Sequence, residues 1–220
     1  MRELGKSTLG DSISIRGREA EKVEGFGMGV RFAKRVTDIL LSSLGLLVFS
    51  PLILAAALSI KLTSRGPVLY RQRRVGRDGK VFLLYKFRSM RDGAELETGP
   101  VLAQKDDPRK TPVGRILRRL HLDEIPQLIN ILKGDMSMVG PRPERPIFVE
   151  EFSKRIPHYV ARHKIKPGLA GWAQVHGGYM APPEEKISYD LYYMRNWSLF
   201  FDWKIIWLMT RRTWNFRDEH

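Results

Sequence analysis

The chain has 220 residues, 43% of them hydrophobic and 28% charged, enough for one sizeable core or for one domain with a membrane anchor, and too charged for a polytopic channel. Its formal net charge of +14 suits a nucleic acid, an anionic membrane surface or a phosphorylated substrate. Cysteine is absent, which excludes disulfides, thiol catalysis and cysteine-ligated zinc.

Residues 1–29 are polar and glycine-rich without a sustained period, and read as a mobile tail rather than a signal peptide. Gly25, Gly27 and Gly29 alternate, but no strand precedes them, so they do not make a dinucleotide loop. Residues 39–60 then run roughly 22 positions without a charge, long enough to cross a bilayer. Ser50-Pro51 interrupts the run, and two readings stay open: a spanning helix kinked at proline, or a re-entrant hairpin. Arg31, Lys34 and Arg35 before it, with Lys61, Arg65 and Arg71 after it, favour two cytoplasmic ends.

From Val68 to Met90 the pattern predicts a β-hairpin turning at Gly76-Arg77-Asp78-Gly79. On its second strand Phe82, Leu84, Lys86 and Arg88 share a face by the period of two, so Lys86 and Arg88 could meet one anion; a solvated strand face is the plainer alternative. After a loop over 99–110, Thr111-Pro112 starts a helix with threonine as N-cap and proline at the first position. That helix sets Arg115, Arg118 and Arg119 on one side. A second helix is expected from near Asp123 to Gly134. Gly140-Pro141-Arg142-Pro143 and Lys166-Pro167-Gly168 are rigid turns. The stretch from Glu184 to Trp214 is helical in pattern and dense in aromatics mixed with Lys and Arg, as suits either a membrane interface or an amphipathic core helix.

The chemistry points to Asp123-Glu124. A carboxylate pair opening a helix, five and four residues after Arg118 and Arg119, is expected to be ionised with a depressed pKa. An ionised carboxylate can attack phosphorus, and its neighbour can hold Mg²⁺, which prefers oxygen ligands beside substrate phosphates. A routine helix cap is the alternative. Lys86 with Arg88, Arg118, and Arg142 come from three separate elements and suit a diphosphate whose charge must be neutralised as a bond breaks. No Walker loop, histidine metal pair or nucleophile elbow is present, and His121, His158, His163 and His176 read as structural.

Several ordered motifs carry a resemblance over about residues 30 to 214. They are Lys34-Arg35 with Asp38, Ser50-Pro51, Tyr85-Lys86-Phe87-Arg88-Ser89-Met90, Gly114-Arg115 through Asp123-Glu124-Ile125-Pro126-Gln127, and Lys133-Gly134-Asp135 through Gly140-Pro141-Arg142-Pro143. Lys166-Pro167-Gly168 through Gln174-Val175 and Asp190-Leu191-Tyr192-Tyr193 complete the set. In this order they resemble the bacterial sugar transferase family, the monotopic phosphoglycosyl transferases. The resemblance implies an α+β fold: a mostly helical monotopic membrane protein with a re-entrant N-terminal membrane helix, a small β-hairpin and amphipathic helices lying at the interface. It divides the chain into the tail 1–29, a membrane helix 30–65 broken at Ser50-Pro51, a catalytic domain 66–214 on the cytoplasmic face of the bacterial inner membrane, and a C-terminal tail 215–220.

The function so implied is transfer of a hexose 1-phosphate from a UDP-sugar to polyprenyl (undecaprenyl) phosphate, with release of UMP, in glycoconjugate or exopolysaccharide synthesis. Asp123 matches the nucleophile that carries the phosphosugar, Glu124 the magnesium-associated carboxylate, and Lys86, Arg118 and Arg142 the phosphate-binding positions. The expected cofactor is Mg²⁺ on Glu124 and Asp123; the expected partners are UDP-sugar, polyprenyl phosphate and membrane lipid, with no nucleic acid and with a homodimer left open. The run Tyr189 to Leu199 resembles members that transfer glucose or galactose, with N-acetylated sugars second, but His176-Gly177-Gly178 departs from the usual Asn-Gly, and the following loop to Pro183 is unusual. Larger members carry further N-terminal membrane helices, and this chain resembles the catalytic unit. Two rivals remain from other classes: a membrane-tethered basic nucleic-acid-binding protein, and a scaffold without chemistry.

Overall fold

A computed structural model describes residues 26–96, 99, 101, 107–178 and 181–214. Of the expected tails 1–29 and 215–220, residues 1–25 and 215–220 lie outside the described residues, as do Tyr179 and Met180 and most of the 97–106 loop; residues 26–29 are no tail, since Phe26 packs against the core and Met28 and Gly29 belong to a helix. The described chain is mostly helical with two small sheets.

Helix α1 (Met28–Val48) breaks at Phe49, and α2 (Ser50–Thr63) leaves at 61° to it. Proline at the second position of α2 has no N–H to give, and the Ser50 hydroxyl donates instead to the Leu47 carbonyl at 2.8 Å. No single described helix is long and apolar enough to cross a membrane; the bent pair together has that length and composition. The faces of α1 are inverted relative to a helix in water. Its buried stripe is Lys34, Asp38 and Ser42, whereas Phe32, Leu40, Leu44 and Leu47 are exposed. On α2, Ala56 and Ile60 pack inward while Leu54, Leu58 and Leu62 stay exposed.

Strands β1 (Leu69–Val75) and β2 (Val81–Phe87) form the expected antiparallel hairpin, with Asp78 in the left-handed region at φ 57°. The free edge of β2 is met by a side chain: the Asn130 amide donates to Leu83 O at 2.7 Å and accepts from Tyr85 N at 2.9 Å. Thr111 caps α3 (Pro112–Arg119) as expected, its hydroxyl accepting from Gly114 N at 2.9 Å.

The helix expected from Asp123 is shorter. Leu122–Glu124 form a 3-10 turn, and α4 spans Gln127–Lys133, because Pro126 has no N–H to extend the ladder backward. Gly134, at φ 90°, ends α4 in the left-handed cap that glycine favours. Strand β3 (Ser137–Val139) runs into α5 (Pro146–Arg155) and a 3-10 stretch (Tyr159–Lys164) before β4 (Gly168–Ala170) pairs parallel with β3. Short α6 (Trp172–His176) leads to α7 (Pro183–Arg195) and α8 (Leu199–Trp214). The single helix expected over Glu184 to Trp214 is thus two, broken at residues 196–198.

The core-helix reading of the aromatics holds for part of the set. Tyr193 and Phe201 sit in the largest core cluster, while Phe200, Trp203 and Trp207 line the outer face of α8. The N-terminal helix is tied to the rest by polar contacts. Lys34 Nζ donates to Asp202 at 2.6 Å and to Tyr193 OH at 2.9 Å. Asp38 accepts from Ser137 Oγ and Met138 N. Arg35 donates to the Ile131 and Leu132 carbonyls at the C-terminus of α4.

Candidate active site

Asp123 and Glu124 sit in the 3-10 turn between α3 and α4, reached through His121 at φ 54°. Both are buried, at 6% and 8% exposure, yet their surroundings differ. Lys86, from β2, donates to Glu124 Oε1 at 2.7 Å. Arg142, from the loop after β3, bonds the same oxygen and reaches Oε2 at 3.3 Å. The Asp123 carboxylate accepts no hydrogen bond and forms no ion pair among the described residues. Burial alone would raise Glu124, but Arg142 and Lys86 outweigh it and hold the carboxyl well below its usual range. Burial raises Asp123, opposed by Lys86 and, more weakly, by Arg118. The depressed pKa expected for Asp123 is therefore corrected: loss of water outweighs the arginine field. Two adjacent carboxyls are pushed apart in pKa, one fixed as a charged clamp partner and one left without a bonded partner.

Arg118 is half-buried on α3, and its Nε donates to Ser89 Oγ at 2.8 Å. Its terminal nitrogens have no partner among the described residues, and it acts on Asp123 through charge. Arg115 and Arg119 are exposed on the same helix.

Arg88 departs from the shared-anion expectation. Strand β2 ends at Phe87, so the alternation that would aim Arg88 beside Lys86 stops one residue early. Its buried guanidinium donates to the Arg65 carbonyl, to Ser64 O at 3.0 Å and to Ser64 Oγ at 2.8 Å, capping the end of α2. A Cβ at Gly66 would collide with that guanidinium, and Gly66 lies at φ 106°. Ser50 and Pro51 lie at the helix break, remote in sequence from the carboxylate pair.

The loop that presents Arg142 has prolines at 141 and 143, which lack N–H donors. Its shape comes from outside, through its carbonyls. Val139 O accepts from Tyr193 OH and Lys34 Nζ, Pro141 O from Gly168 N, Arg142 O from Arg162, Pro143 O from Arg74, and Glu144 O from Val75 N. The close pass of β3 and β4 requires glycine: a Cβ on Gly168 would lie 2.0 Å from Gly140 N. Arg162 and Arg74 carry no motif signal on their own, and pattern reading missed them. Lys34 and Asp38 stood in the motif that opens the resemblance.

Among the described residues no group of three or more His, Asp or Glu side chains could cage a metal ion. Adjacent carboxylates with one lacking a bonded partner still fit magnesium, which takes one or two carboxylates and completes its shell with substrate oxygens and water.

A family model described as bacterial sugar transferase matches residues 29–215. The chain is 48% identical over 183 residues to a UDP-N-acetylgalactosamine-undecaprenyl-phosphate N-acetylgalactosaminephosphotransferase of Aeromonas hydrophila, covering 82% of this chain and 43% of that protein. It is 46% identical over 185 residues to a UDP-glucose:undecaprenyl-phosphate glucose-1-phosphate transferase of Escherichia coli (strain K12), covering 81% of this chain and 39% of that protein. A protein of the same description from Caulobacter vibrioides is 46% identical over 186 residues, 81% of this chain and 68% of that protein. The chain thus spans about two fifths of the length of the first two relatives, at 43% and 39%.

Proposed function

The chain belongs to the bacterial sugar transferase family, and from that membership we propose that it moves a hexose 1-phosphate from a UDP-sugar to a polyprenyl phosphate through a covalent intermediate on Asp123. The observation that carries the reading is the division of labour between adjacent buried carboxyls: Glu124 held by Lys86 and Arg142, Asp123 unpaired. A nucleophile must be ionised yet uncommitted, and Asp123 meets the second condition where Glu124 does not.

An Asp123 carboxylate oxygen attacks the phosphorus that bears the sugar. The new O–P bond forms as the bond to the bridging oxygen breaks, and UMP leaves with that electron pair. A polyprenyl phosphate oxygen then attacks the same phosphorus, and Asp123 departs as carboxylate. Arg118 has terminal donors for the transferring phosphoryl oxygens, and Lys86 and Arg142 supply positive potential beside them. Asp123 or Glu124 would hold a magnesium ion, which when bound would supply further charge neutralisation.

The inverted faces of α1 and the apolar outer face of α8 support a monotopic seat on the cytoplasmic face of the inner membrane, with α1 and α2 as a re-entrant pair. Inward-turned cations on Glu124 favour phosphate chemistry over a nucleic-acid groove. Relatives named for UDP-glucose and for UDP-N-acetylgalactosamine match at 46% and 48%, which supports a UDP-sugar donor; glucose or galactose is placed first from the Tyr189 to Leu199 run, with N-acetylated sugars second.

The test is incubation with a panel of UDP-sugars without acceptor, read for UMP and for protein mass. One donor should add a hexose phosphate to Asp123, and Asp123→Asn should lose both adduct and turnover. Near-wild-type turnover by that variant would remove Asp123 from the nucleophile's role.

A further inference from the structure

We propose that Asp190 and Arg162 form a positioning pair that fixes the direction of Arg142; the catalytic part of this inference rests on the function proposed above. Arg162 lies in the 3-10 stretch Tyr159–Lys164 and Asp190 on α7, and their side chains are 3% and 1% exposed with a contact of 2.8 Å. The nitrogen that faces Asp190 is Nη2, and the Nε–H of Arg162 is buried without a hydrogen-bond partner among the described residues. Nη1 donates to Tyr159 OH at 2.6 Å, and Nη2 donates to the Arg142 carbonyl at 2.9 Å. Burial opposes the charge on Arg162, but Asp190, then Tyr159 and Glu144, more than offset that and raise its pKa.

The loop geometry gives this bond its consequence. Arg142 stands between two prolines, so its neighbours have no N–H with which to hold themselves. The flanking carbonyls are held by Gly168 N on one side and Arg74 on the other. The Arg162 bond acts on the backbone of residue 142 itself, and the Arg142 side chain bonds Glu124. A chain of contacts therefore runs from Asp190 through Arg162 and the Arg142 backbone to the carboxyl beside Asp123. A buried ion pair is weak evidence for stability, since apolar residues of similar volume commonly serve as well. Its place behind a catalytic arginine points to specification of geometry instead, because small misplacements of a positioned charge cost large factors in rate. Neither residue bonds Asp123 or Glu124, so both are positioning residues.

The test uses the full chain in detergent or nanodiscs. Arg162→Met with Asp190→Leu removes the pair without leaving an orphaned charge, and Asp190→Asn is the milder variant should the double one not fold. Backbone amide exchange is followed in a peptide covering residues 137–146, with the β1–β2 hairpin as internal reference. The expected result is exchange at least ~10-fold faster in the loop with the hairpin unchanged, and kcat at least ~10-fold lower with KM within ~3-fold. Unchanged loop exchange in a folded variant overturns the pair's hold on the loop. Faster exchange with unchanged kcat overturns its role in catalysis. Should the wild-type chain release no UMP from any UDP-sugar, the functional reading fails by itself, and the exchange measurement still decides the positioning claim.

Discussion

Arg142 holds Glu124 by both carboxylate oxygens, one guanidinium nitrogen bonding Oε1 and the other reaching Oε2 at 3.3 Å. Lys86 shares Oε1 at 2.7 Å. The two cations leave Glu124 with little freedom, and breaking such a pair from one side strands a buried charge. Arg142→Lys keeps the charge but cannot span both oxygens. The expected outcome is a kcat lower by roughly 100-fold with the fold retained, on the scale of losing about 3 kcal/mol of buried, charge-assisted bonding. Glu124→Gln should lose a similar factor. Steady-state kinetics with circular dichroism checks both, and a lysine variant within threefold of wild type would show that the two-point hold is dispensable.

The pair also sets a pH dependence. Asp123 has its pKa raised by burial, so its ionised fraction falls as pH drops through that raised value, above the ordinary 3.8. Glu124 is held well below 4.5, so any stability it contributes is fully present above 4.5 and is lost only as pH falls through its depressed value. The acid limb of kcat/KM is therefore expected to be a single ionisation belonging to Asp123, in a range where thermal unfolding shows no Glu124-linked change. Two protons on the limb, or a limb that coincides with loss of fold, would contradict that assignment.

Much of this site was legible as residue types at spacings, and little of it as geometry. The hairpin turn, the Thr111 cap and the Asp123-Glu124 pair follow from local rules, and each appears in the structure. Arg88 was misaimed because the period of two holds only while the strand lasts, and β2 ends at Phe87. The direction of the Asp123 shift was missed because desolvation is a tertiary effect that no neighbouring residue encodes. The Lys34, Asp38 and Ser42 stripe is hidden for the same reason. Polar residues four apart on an apolar helix look like a solvent face, and here that face is the buried one.

Magnesium is the next test. Asp123 and Glu124 offer oxygen ligands, and no third acidic or histidine ligand gathers around them among the described residues. An ion at such a site depends on substrate phosphates for the rest of its shell. UMP release is therefore expected to vanish in excess chelator and return with Mg²⁺. Binding of Mg²⁺ to the protein alone is expected to be weak, in the millimolar range at ~4 kcal/mol. Full turnover in chelator would remove the ion from the mechanism.

The topology follows from the break at Phe49. The uncharged part of α1, Ile39 to Val48, rises only ~15 Å against a hydrocarbon core of ~30 Å, so in the re-entrant arrangement proposed above the chain stops short of the far side. There the ladder lacks the Pro51 N–H, and an unpaired carbonyl in lipid costs several kcal/mol. The Ser50 hydroxyl meets the Leu47 carbonyl at 2.8 Å, which lets the break sit at depth. The 61° bend then turns α2 away from the axis of α1. At the other end Arg88 ties Ser64 and Arg65 to the hairpin that bears Lys86, so α2 must finish on the side where the carboxylates lie. Arg35 fixes the start of α1 to the end of α4 on that same body. The native chain has no cysteine, so Val30→Cys and Arg65→Cys report cleanly. Both are expected to react with an impermeant thiol reagent from the cytoplasmic side and neither from the other. Joint replacement of Ser50 by Ala and Pro51 by Leu should restore the helical ladder and move the Arg65→Cys label toward the opposite face, at the expense of the Arg88 contacts and of turnover. Labelling of the two native ends from opposite sides would establish a kinked spanning helix in place of the re-entrant pair.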